Sequence, residues 1–289
     1  FTAACPNNGT NVLQLSLEGA MNLNSSDGVA DTIYMSPSTY TDPNSGGSPG
    51  TLEPLGTDDL NVIGSGTDQS IITSAGTGNQ YVVNLNAGNR KVDMSNLTIV
   101  VPASFPDPAA LGQGSALQAE DGTFDHVDLK TLNDQSNGAT SLIGDTVWKN
   151  SHIYGSQGVT FSNGISPGSS SGKLEITNTK IENADWGVIV DGADTPVVMK
   201  KSRVLDPQTY GVLLSNGALF VMENSVIVGA GTHAIEAATH NGVGESDIDA
   251  QIRSSTIVGG SDPTDAAIRV NIKNAVGSKS ADVSVTNSI

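Results

Sequence analysis

The stretch VMENSVIVG, residues 221–229, alternates apolar and polar residues on both sides of Asn224. Alternation with a period of two is typical of a strand with one buried face. The pattern recurs along the chain: apolar residues lie mostly two and four positions before a polar turn residue, and an aliphatic residue mostly follows three positions after it. The turn residues of the copies are Asn96, His126, Asn150, Asn178, Lys201, Asn224, Ser254 and Asn287.

A second alternating strand lies in the gaps between these copies, for example GVIVDG (187–192) and GVLLSNG (211–217). Gly, Asn and Asp punctuate the ends of these strands, as turns require. The predicted inward positions are Val83, Leu117, Val159, Val188, Val212, Ile235 and Ile268, and their companions two residues later are Leu85, Ala119, Phe161, Val190, Leu214, Ala237 and Val270.

Copies spaced 23 to 33 residues apart, with no helical segment between them, cannot bury their apolar sides singly. Stacking each coil on the next, about 4.8 Å apart, buries those sides, and turns of unequal length leave the stack undisturbed. The sequence therefore predicts an all-β solenoid of parallel sheets, a β-helix. Because five of the eight turn residues are Asn, we also expect an asparagine ladder at that corner. The alternative, an antiparallel sandwich, needs hairpin turns and does not realign its strands in one register.

Charge and cysteine content narrow the partners of the chain. Its 289 residues carry 13 Lys and Arg against 30 Asp and Glu, and the formal charge of −17 disfavours nucleic acid. The same charge disfavours an acidic polysaccharide unless a divalent cation bridges the two. Cys5 is the single cysteine, which excludes an intrachain disulfide and a cysteine metal cluster.

Export is the expected fate of the chain. Few lysines and abundant Thr, Ser, Asn and Gly are typical of exported bacterial proteins. No apolar run approaches the roughly 18–20 residues that cross a bilayer, and no signal peptide is visible. We therefore predict a secreted or cell-surface protein and place residue 1 close to a mature N-terminus.

The order of segments resembles right-handed parallel β-helix proteins of the pectate-lyase-like superfamily, and more narrowly secreted bacterial β-helix repeat proteins of unassigned activity. VLQLSLEGAMNLNSS (12–26) is similar to their amphipathic N-terminal capping helix, and ADTIYMSPSTYT (30–41) to their first strand and turn. LNVIGSGTDQSIIT (60–73) and VDMSNLTIV (92–100) resemble the next coils. Ser38 departs from the family, which often has Gly there. The resemblance implies a right-handed helix but no particular chemistry, because this scaffold hosts lyases, hydrolases, adhesins and structural stalks.

Two segments divide the chain. Residues 1–29 are predicted to hold the capping α-helix, which would cover the unpaired strand edges at the open end of the β-helix. The apolar side of that helix is formed by Leu13, Leu17, Ala20, Met21 and Leu23. Residues 30–289 are the β-helix, which stops mid-coil in VSVTNSI (283–289). We therefore expect a further C-terminal region or a capping partner there.

The first group of candidate catalytic residues follows the turn residues by two positions. The predicted outward row reads Thr98, Asp128, His152, Lys180, Arg203, Val226 and Thr256, and the row beside it adds Lys130, Tyr154 and Glu182. A lyase that removes the proton α to a uronate carboxyl needs a cation on that carboxylate and a base such as His, Tyr or Lys. Arg203 or Lys180 suits the first role, and His152 or Tyr154 the others. The competing interpretation is a solvated surface whose charged side chains screen one another: Asp128, Lys130, Lys180 and Glu182.

The second group lies at a corner of the other sheet, where Trp186, Tyr210 and His233 occupy one position on three consecutive coils. Aromatic faces stack on sugar rings, which makes these residues candidates for ligand binding. Strict alternation turns them inward instead, where they would pack the corner. Gln157 is predicted at the same place one coil earlier. Glu236 and Arg269 are predicted to form a surface ion pair of little energetic value.

Two functions remain open. The first is a non-catalytic binding, adhesive or structural module that binds a polysaccharide or cell-surface glycan. The alternative is a polysaccharide lyase, or a glycoside hydrolase, acting on an acidic polysaccharide. The polygalacturonase pattern of neighbouring Asp residues is absent, and no metal site is predicted, although acidic loops such as ESDID (245–249) make Ca²⁺ conceivable. An enzyme would need groove walls, for which the longer gaps at 99–123, 130–145 and 228–247 offer material.

Overall fold

Short parallel strands dominate the computed structural model of the chain. The structure describes residues 2–3, 13–14, 17–22, 27–42, 52, 58–74, 81–85, 91–103, 115–133, 137–142, 144–167, 172–192, 196–239, 247–260, 264–272 and 280–289. Near the N-terminus, β1 (Thr2–Ala3) and β2 (Leu13–Gln14) form an antiparallel pair ahead of the helix α1 (Leu17–Asn22).

All remaining strand pairs are parallel and lie on three faces, which we call sheets I, II and III. Sheet I contains β3 (Asp31–Tyr34), β5 (Leu60–Ile63), β12 (Thr146–Lys149), β15 (Leu174–Thr177), β18 (Pro196–Lys200), β21 (Leu219–Glu223), β24 (Ile248–Arg253) and β27 (Ala281–Thr286). Sheet II contains β4 (Ser38–Asp42), β6 (Ser70–Ser74), β13 (His152–Gly155), β16 (Lys180–Glu182), β19 (Arg203–Leu205), β22 (Val226–Val228) and β25 (Thr256–Ile257). Two long strands, β8 (Val92–Val101) and β10 (Gly122–Thr131), run through both sheets.

Sheet III closes each coil. Its strands are β7 (Tyr81–Leu85), β9 (Ser115–Ala119), β11 (Asn137–Leu142), β14 (Phe161–Pro167), β17 (Ala184–Asp191), β20 (Tyr210–Ser215), β23 (His233–Thr239) and β26 (Ile268–Ile272). Each strand of a sheet pairs with the equivalent strand of the next coil, so that Ile176 lies beside Met199, and Met199 beside Met222. The predicted all-β parallel β-helix is confirmed.

One residue per coil makes the corner between sheets I and II. The eight predicted turn residues all have positive φ, between 48° and 56°. This left-handed conformation costs most side chains free energy, whereas Asn tolerates it, which explains the abundance of Asn in the repeat. These side chains are exposed. Asn178 Nδ2 donates to Asn150 Oδ1 at 2.7 Å, and Asn150 Nδ2 donates to Asp125 Oδ1 at 2.8 Å. The asparagine ladder therefore joins Asn150 and Asn178.

A second, buried ladder follows directly on the inside of that corner. The residues after the turn residues in the later coils are Ser151, Thr179, Ser202, Ser225, Ser255 and Ser288. The backbone N–H of Thr179 donates to Ser202 Oγ at 3.1 Å, and the N–H of Ser202 donates to Ser225 Oγ at 3.1 Å. The five serine hydroxyls each accept a corner amide of the preceding coil, while the Thr179 hydroxyl donates to the Thr177 carbonyl.

The core is a continuous cluster of buried side chains from Leu17 to Ile257. In its middle the rings of Phe124 and Trp148 stack with centroids 4.5 Å apart. The helix is shorter than the predicted 12–26, because Leu13 belongs to β2 and Leu23 lies outside the described residues. Leu17, Ala20 and Met21 are buried as expected, while the capping role of the helix stays a prediction. No helix of the described residues is long and apolar enough to cross a membrane.

The predicted register of sheet III is wrong in one coil. Strand β11 was not predicted, because NGATSL carries little apolar alternation, and the partner of Val188 is Ile165 rather than Val159. Val159 lies outside any strand and is half-buried. Val270, a predicted inward companion, is 45% exposed in the last described strand of this sheet.

Alternation also breaks at the start of the sheet III strands. A Cβ built on Gly211 would lie 2.3 Å from Ile227 Cγ2, in the core, and the next residue, Val212, is buried as well. Gly187 occupies the same position in the preceding coil, where its Cβ would meet Val204. Two consecutive residues therefore face inward. The residue before them, Tyr210 in this coil, is turned to the outside.

Candidate functional site

Stacking brings the first group of predicted residues into two columns on the outside of sheet II. Asp128, His152, Lys180 and Arg203 are successive register partners. The neighbouring column contains Lys130, Tyr154 and Glu182. We call these seven residues the sheet II cluster. Coils about 4.8 Å apart put each side chain within reach of the next, as the spacing of the repeat predicts.

His152 and Tyr154 lie side by side in the middle of this cluster. Their rings stack with centroids 4.1 Å apart and planes 19° from parallel. His152 Nε2 is 2.9 Å from Glu182 Oε1. Although burial acts to raise it, Lys180 and His152 hold the pKa of Glu182 below its usual value, so the carboxylate is ionised and accepts the Nε2–H.

The protonation of His152 follows from that contact. Burial lowers the pKa of His152, and the opposing effect of Glu182 does not restore it. At neutral pH the ring is therefore uncharged, and because Nε2 carries the proton, Nδ1 carries a free lone pair. Burial, with the charges of Asp128 and Asp68, raises the pKa of Tyr154, so its hydroxyl keeps its proton. A base and an acid thus stand next to each other.

Asp128 closes one end of the cluster. Its Oδ1 accepts the backbone N–H of His152 at 3.1 Å. Burial raises the pKa of Asp128 to about 6, and the charge of Asp68 adds to the shift. Asp68 stands in the turn before β6, a neighbour that the repeat pattern did not single out.

The three basic residues of the cluster differ in whether their side chains form an ion pair. Lys180 Nζ forms an ion pair with Glu182 Oε2. Arg203 is exposed, and the side chains of Arg203 and Lys130 form no hydrogen bond or ion pair within the described part of the chain. The carboxylate of Glu182, which was predicted to screen Lys180 but not to contact His152, therefore holds both side chains.

The second group stands on the outer face of sheet III. Trp186, Tyr210 and His233 are register partners, as predicted, but the residue before them in the column is Asn163 rather than Gln157. The two inward residues that follow turn this column away from the core; Trp186 and Tyr210 are half-buried, whereas His233 is only 3% exposed, as the packing interpretation predicted. The ring of Tyr210 lies parallel to that of His233, with centroids 6.1 Å apart.

Glu236 and Arg269 complete what we call the sheet III cluster: Trp186, Tyr210, His233, Glu236 and Arg269. Arg269 NH1 is 2.9 Å from His233 Nε2, and its Nε is 3.7 Å from Glu236 Oε2. Glu236 and Arg269 are register partners, but the expected surface ion pair is wrong in its setting, because the Glu236 side chain is only 5% exposed. An isolated charge at that depth is costly unless it is paired.

Metal ligands and groove walls were the remaining expectations. Among the residues that the structure describes, no group of three or more His, Cys, Asp or Glu side chains is placed to hold a metal ion. Residues 245 and 246 of the acidic loop ESDID lie outside the described residues, as do 104–114, 134–136, 143 and 240–246 of the predicted wall segments. A concavity on the outside of sheet I is lined by Asp93, Asp125 and Lys149, apart from both clusters.

Comparison with known proteins identifies the fold. No protein-family model matches the chain, and neither does any curated protein. The crystal structure of an alginate lyase from Paenibacillus sp. str. FPU-7 matches with a TM-score of 0.61 and 14% identity over 93% of this chain and 91% of that one. The fold is that of right-handed parallel β-helix proteins.

Two further solved structures match less well. The mannuronan C-5 epimerase AlgE6 A-module of Azotobacter vinelandii gives a TM-score of 0.41 at 13% identity over 90% of this chain and 91% of that one. A mannuronic acid specific polysaccharide family 6 lyase from human gut microbiota gives 0.44 at 8% identity over 94% and 81%. At these scores and identities they add nothing to the argument for a site.

Proposed function

We propose that this chain is a polysaccharide lyase that cleaves a uronate-containing polysaccharide at the sheet II cluster. One observation carries the proposal: an uncharged His152, held by Glu182, stands against a protonated Tyr154 and beside the cations Lys180 and Arg203. A fold neighbour with a TM-score of 0.61 is an alginate lyase, which makes alginate the first polysaccharide to test.

The reaction is a β-elimination. Arg203, the cation of this row with no ion pair among the described residues, binds the uronate carboxylate and lowers the pKa of the adjacent C–H. His152 Nδ1 takes the proton from C5, the C4–O bond breaks, and a C4=C5 double bond forms. Tyr154 donates its proton to the departing glycosidic oxygen. The proton on His152 and the one lost by Tyr154 then exchange with water, which restores the site.

Charge is the main obstacle to this proposal, since the chain carries −17 overall. The sheet II cluster concentrates three of the 13 basic residues, Lys130, Lys180 and Arg203, on one surface. A divalent cation could further offset the remaining repulsion, and Ca²⁺ is the natural candidate. Export to the cell surface or medium, where such polysaccharides occur, is part of the same proposal.

The decisive test is an elimination assay on alginate and polygalacturonate, with and without Ca²⁺, read as the ultraviolet absorbance of the unsaturated product. We expect activity that falls by roughly 10²-fold or more in His152→Ala, which loses the base. Arg203→Ala should lose a similar factor, whereas Arg253→Ala, an exposed arginine on sheet I, serves as the matched control and should retain full activity. The rate should fall as the pH drops through the lowered pKa of His152.

A non-catalytic glycan-binding or structural module is the second candidate function. The observation that favours it is that Glu182 contacts both His152 and Lys180, as in a satisfied ion-pair network. No elimination on any substrate of the panel, together with retained binding of the polysaccharide, would support this candidate against the lyase.

A further inference from the structure

We propose that the sheet III cluster is a second carbohydrate site, in which His233 and Arg269 bind the carboxylate of an acidic sugar and Trp186 and Tyr210 contact its ring. This site is separate from the elimination site proposed on sheet II and does not depend on it. Four observations on the described residues lead to it: a conflict between two donors, three buried polar atoms without partners, an aromatic column and a half-exposed arginine.

The donor conflict is at His233. The backbone N–H of Ala266 donates to His233 Nδ1 at 2.9 Å, so this nitrogen carries a lone pair. An imidazole has at least one N–H, so Nε2 must carry it. The guanidinium NH1 of Arg269, which only donates, nevertheless lies 2.9 Å from Nε2. Two donors therefore converge on one point with no acceptor between them.

An anionic oxygen resolves this conflict. A carboxylate offers two oxygens and about four acceptor positions, enough to take both the Nε2–H of His233 and the guanidinium of Arg269. Glu236 Oε2 lies 3.9 Å from Nε2 and 3.7 Å from Arg269 Nε, beyond hydrogen-bond distance of either. Because the described residues show no other acceptor bound to these two donors, we assign that role to a ligand.

Three unpartnered polar atoms lie in the sheet III cluster and its column. Glu236 Oε2, Trp186 Nε1 and Asn163 Oδ1 are buried and have no hydrogen-bond partner among the described residues, a condition that Thr146 Oγ1 and Trp148 Nε1 on sheet I share. Because buried polar groups are usually paired, the three atoms on sheet III favour a ligand that can both donate and accept. The set contains one donor and two acceptors. Sugar hydroxyls, which donate and accept, satisfy both kinds.

The aromatic column points to the same class of ligand. Trp186 and Tyr210 occupy adjacent coils and are half-buried, and Tyr210 lies parallel to His233. Flat aromatic faces bind the apolar faces of sugar rings. Arg269 keeps 44% of its side chain exposed, so its charge is open to solvent and to an incoming carboxylate. Together, cation, hydroxyl partners and aromatic faces fit a uronate residue better than a free phosphate or a neutral glucan.

Tryptophan fluorescence can report on this site selectively. The chain has two tryptophans, and Trp148 is buried in the core, so a ligand-dependent change in emission comes from Trp186. Oligouronides are titrated into the His152→Ala variant, which cannot cleave them if the lyase proposal is correct, and into the native chain. We expect saturable emission changes with oligouronides and none with neutral oligoglucosides of the same length.

The variants then test the residues. Arg269→Gln should weaken oligouronide binding by roughly tenfold or more, since it removes a charge-assisted hydrogen bond to the carboxylate. Arg253→Gln should leave it unchanged. Equal affinity of Arg269→Gln and the native chain, or equal binding of neutral oligosaccharides, would overturn the proposal.

A measurement on the native chain tests the site without relying on a variant that fails to fold. Titration with an oligouronide should move the side-chain NMR signals of His233 and Arg269. If only His152 and Tyr154 respond, the sheet III site is wrong while the lyase proposal stands. If His233 and Arg269 respond and no elimination occurs on any substrate, the lyase proposal fails while this site stands.

Discussion

Single residues determine both the backbone conformation at the corners of this β-helix and the pH dependence of its stability. The turn residues adopt φ near 50°, and the sequence places Asn there in five of eight coils because its side chain tolerates that region. Lys201 and Ser254 adopt the same conformation without that preference. The neighbouring coils impose this conformation, so the corner keeps its geometry even where Asn is replaced by another residue.

Asp128 makes the stability of the protein depend on pH. Burial raises its pKa from 3.8 to about 6. Because the folded state holds this proton more tightly than the unfolded chain, the proton's contribution to stability is fully present below pH 3.8, the pKa in the unfolded chain. The contribution is lost as the pH rises through about 6, the pKa in the folded state. Asp128→Asn keeps an acceptor for the His152 amide and removes the charge. We expect it to raise the free energy of unfolding by about 1 kcal/mol near pH 8, after discounting for solvent exposure, and to change it little near pH 4.

Urea unfolding at a series of pH values measures this difference. Asp125→Asn is the matched control with the opposite sign. Although burial acts to raise it, Asn150 and Lys149 hold the pKa of Asp125 below its usual value, so its contribution is present above pH 3.8 and lost as the pH falls. The Asp125→Asn variant should therefore be less stable than the native chain at pH 8. A parallel response of the two variants would contradict the assignment.

At the scale of the element, the buried hydroxyl ladder stabilises the corner where β-strand pairing is interrupted. Ser202 Oγ accepts the Thr179 N–H at 3.1 Å and donates to the Lys200 carbonyl at 2.8 Å. Ser202→Ala leaves that amide buried without an acceptor. We expect a loss of about 1–3 kcal/mol in the free energy of unfolding and faster hydrogen exchange at the Thr179 amide.

Ser202→Thr is the control for this prediction. Thr179 occupies the same column one coil earlier and keeps its hydroxyl bonded to the Thr177 carbonyl at 3.1 Å, so a threonine fits the corner. The exchange rate of the Thr179 amide should stay close to that of the native chain. Unchanged exchange in Ser202→Ala would mean that the amide has another acceptor.

For the whole molecule, the apolar core forms one continuous cluster, so we expect the described coils to unfold together. Trp148 lies at its centre, fully buried against Phe124. Trp148→Ala should lower the free energy of unfolding by about 3–5 kcal/mol, because it removes a large side chain and leaves a cavity. Trp186→Ala, at the half-buried tryptophan, should cost less.

Circular dichroism and fluorescence of the remaining tryptophan measure both variants in one denaturant series. Coincident transitions would indicate a single cooperative unit. Separate transitions would show instead that the coils unfold in blocks, as stacked repeats do when their interfaces are weaker than the repeats themselves.

Sequence reasoning was successful where local preference and register agree. It found the turn column, the parallel stack and the row from Asp128 to Arg203, because alternation with a period of two fixes which side chains share a face. It failed at β11, because only two of its six residues, Ala139 and Leu142, are apolar and they do not alternate with a period of two. That miss shifted the expected partner of Trp186 from Asn163 to Gln157.

The sequence by itself determined the coil repeat, its corner conformation and the outward columns of sheet II, since each depends on residues close together in the chain. Only the tertiary structure decided that Glu182 holds His152, that Glu236 and His233 are buried, and that Trp186 and Tyr210 are half-buried on the outer side of sheet III. These contacts join residues of different coils, about 20 to 40 positions apart. Their distances depend on how the coils stack and on the bulge that Gly211 and Val212 introduce, which no short stretch of sequence specifies.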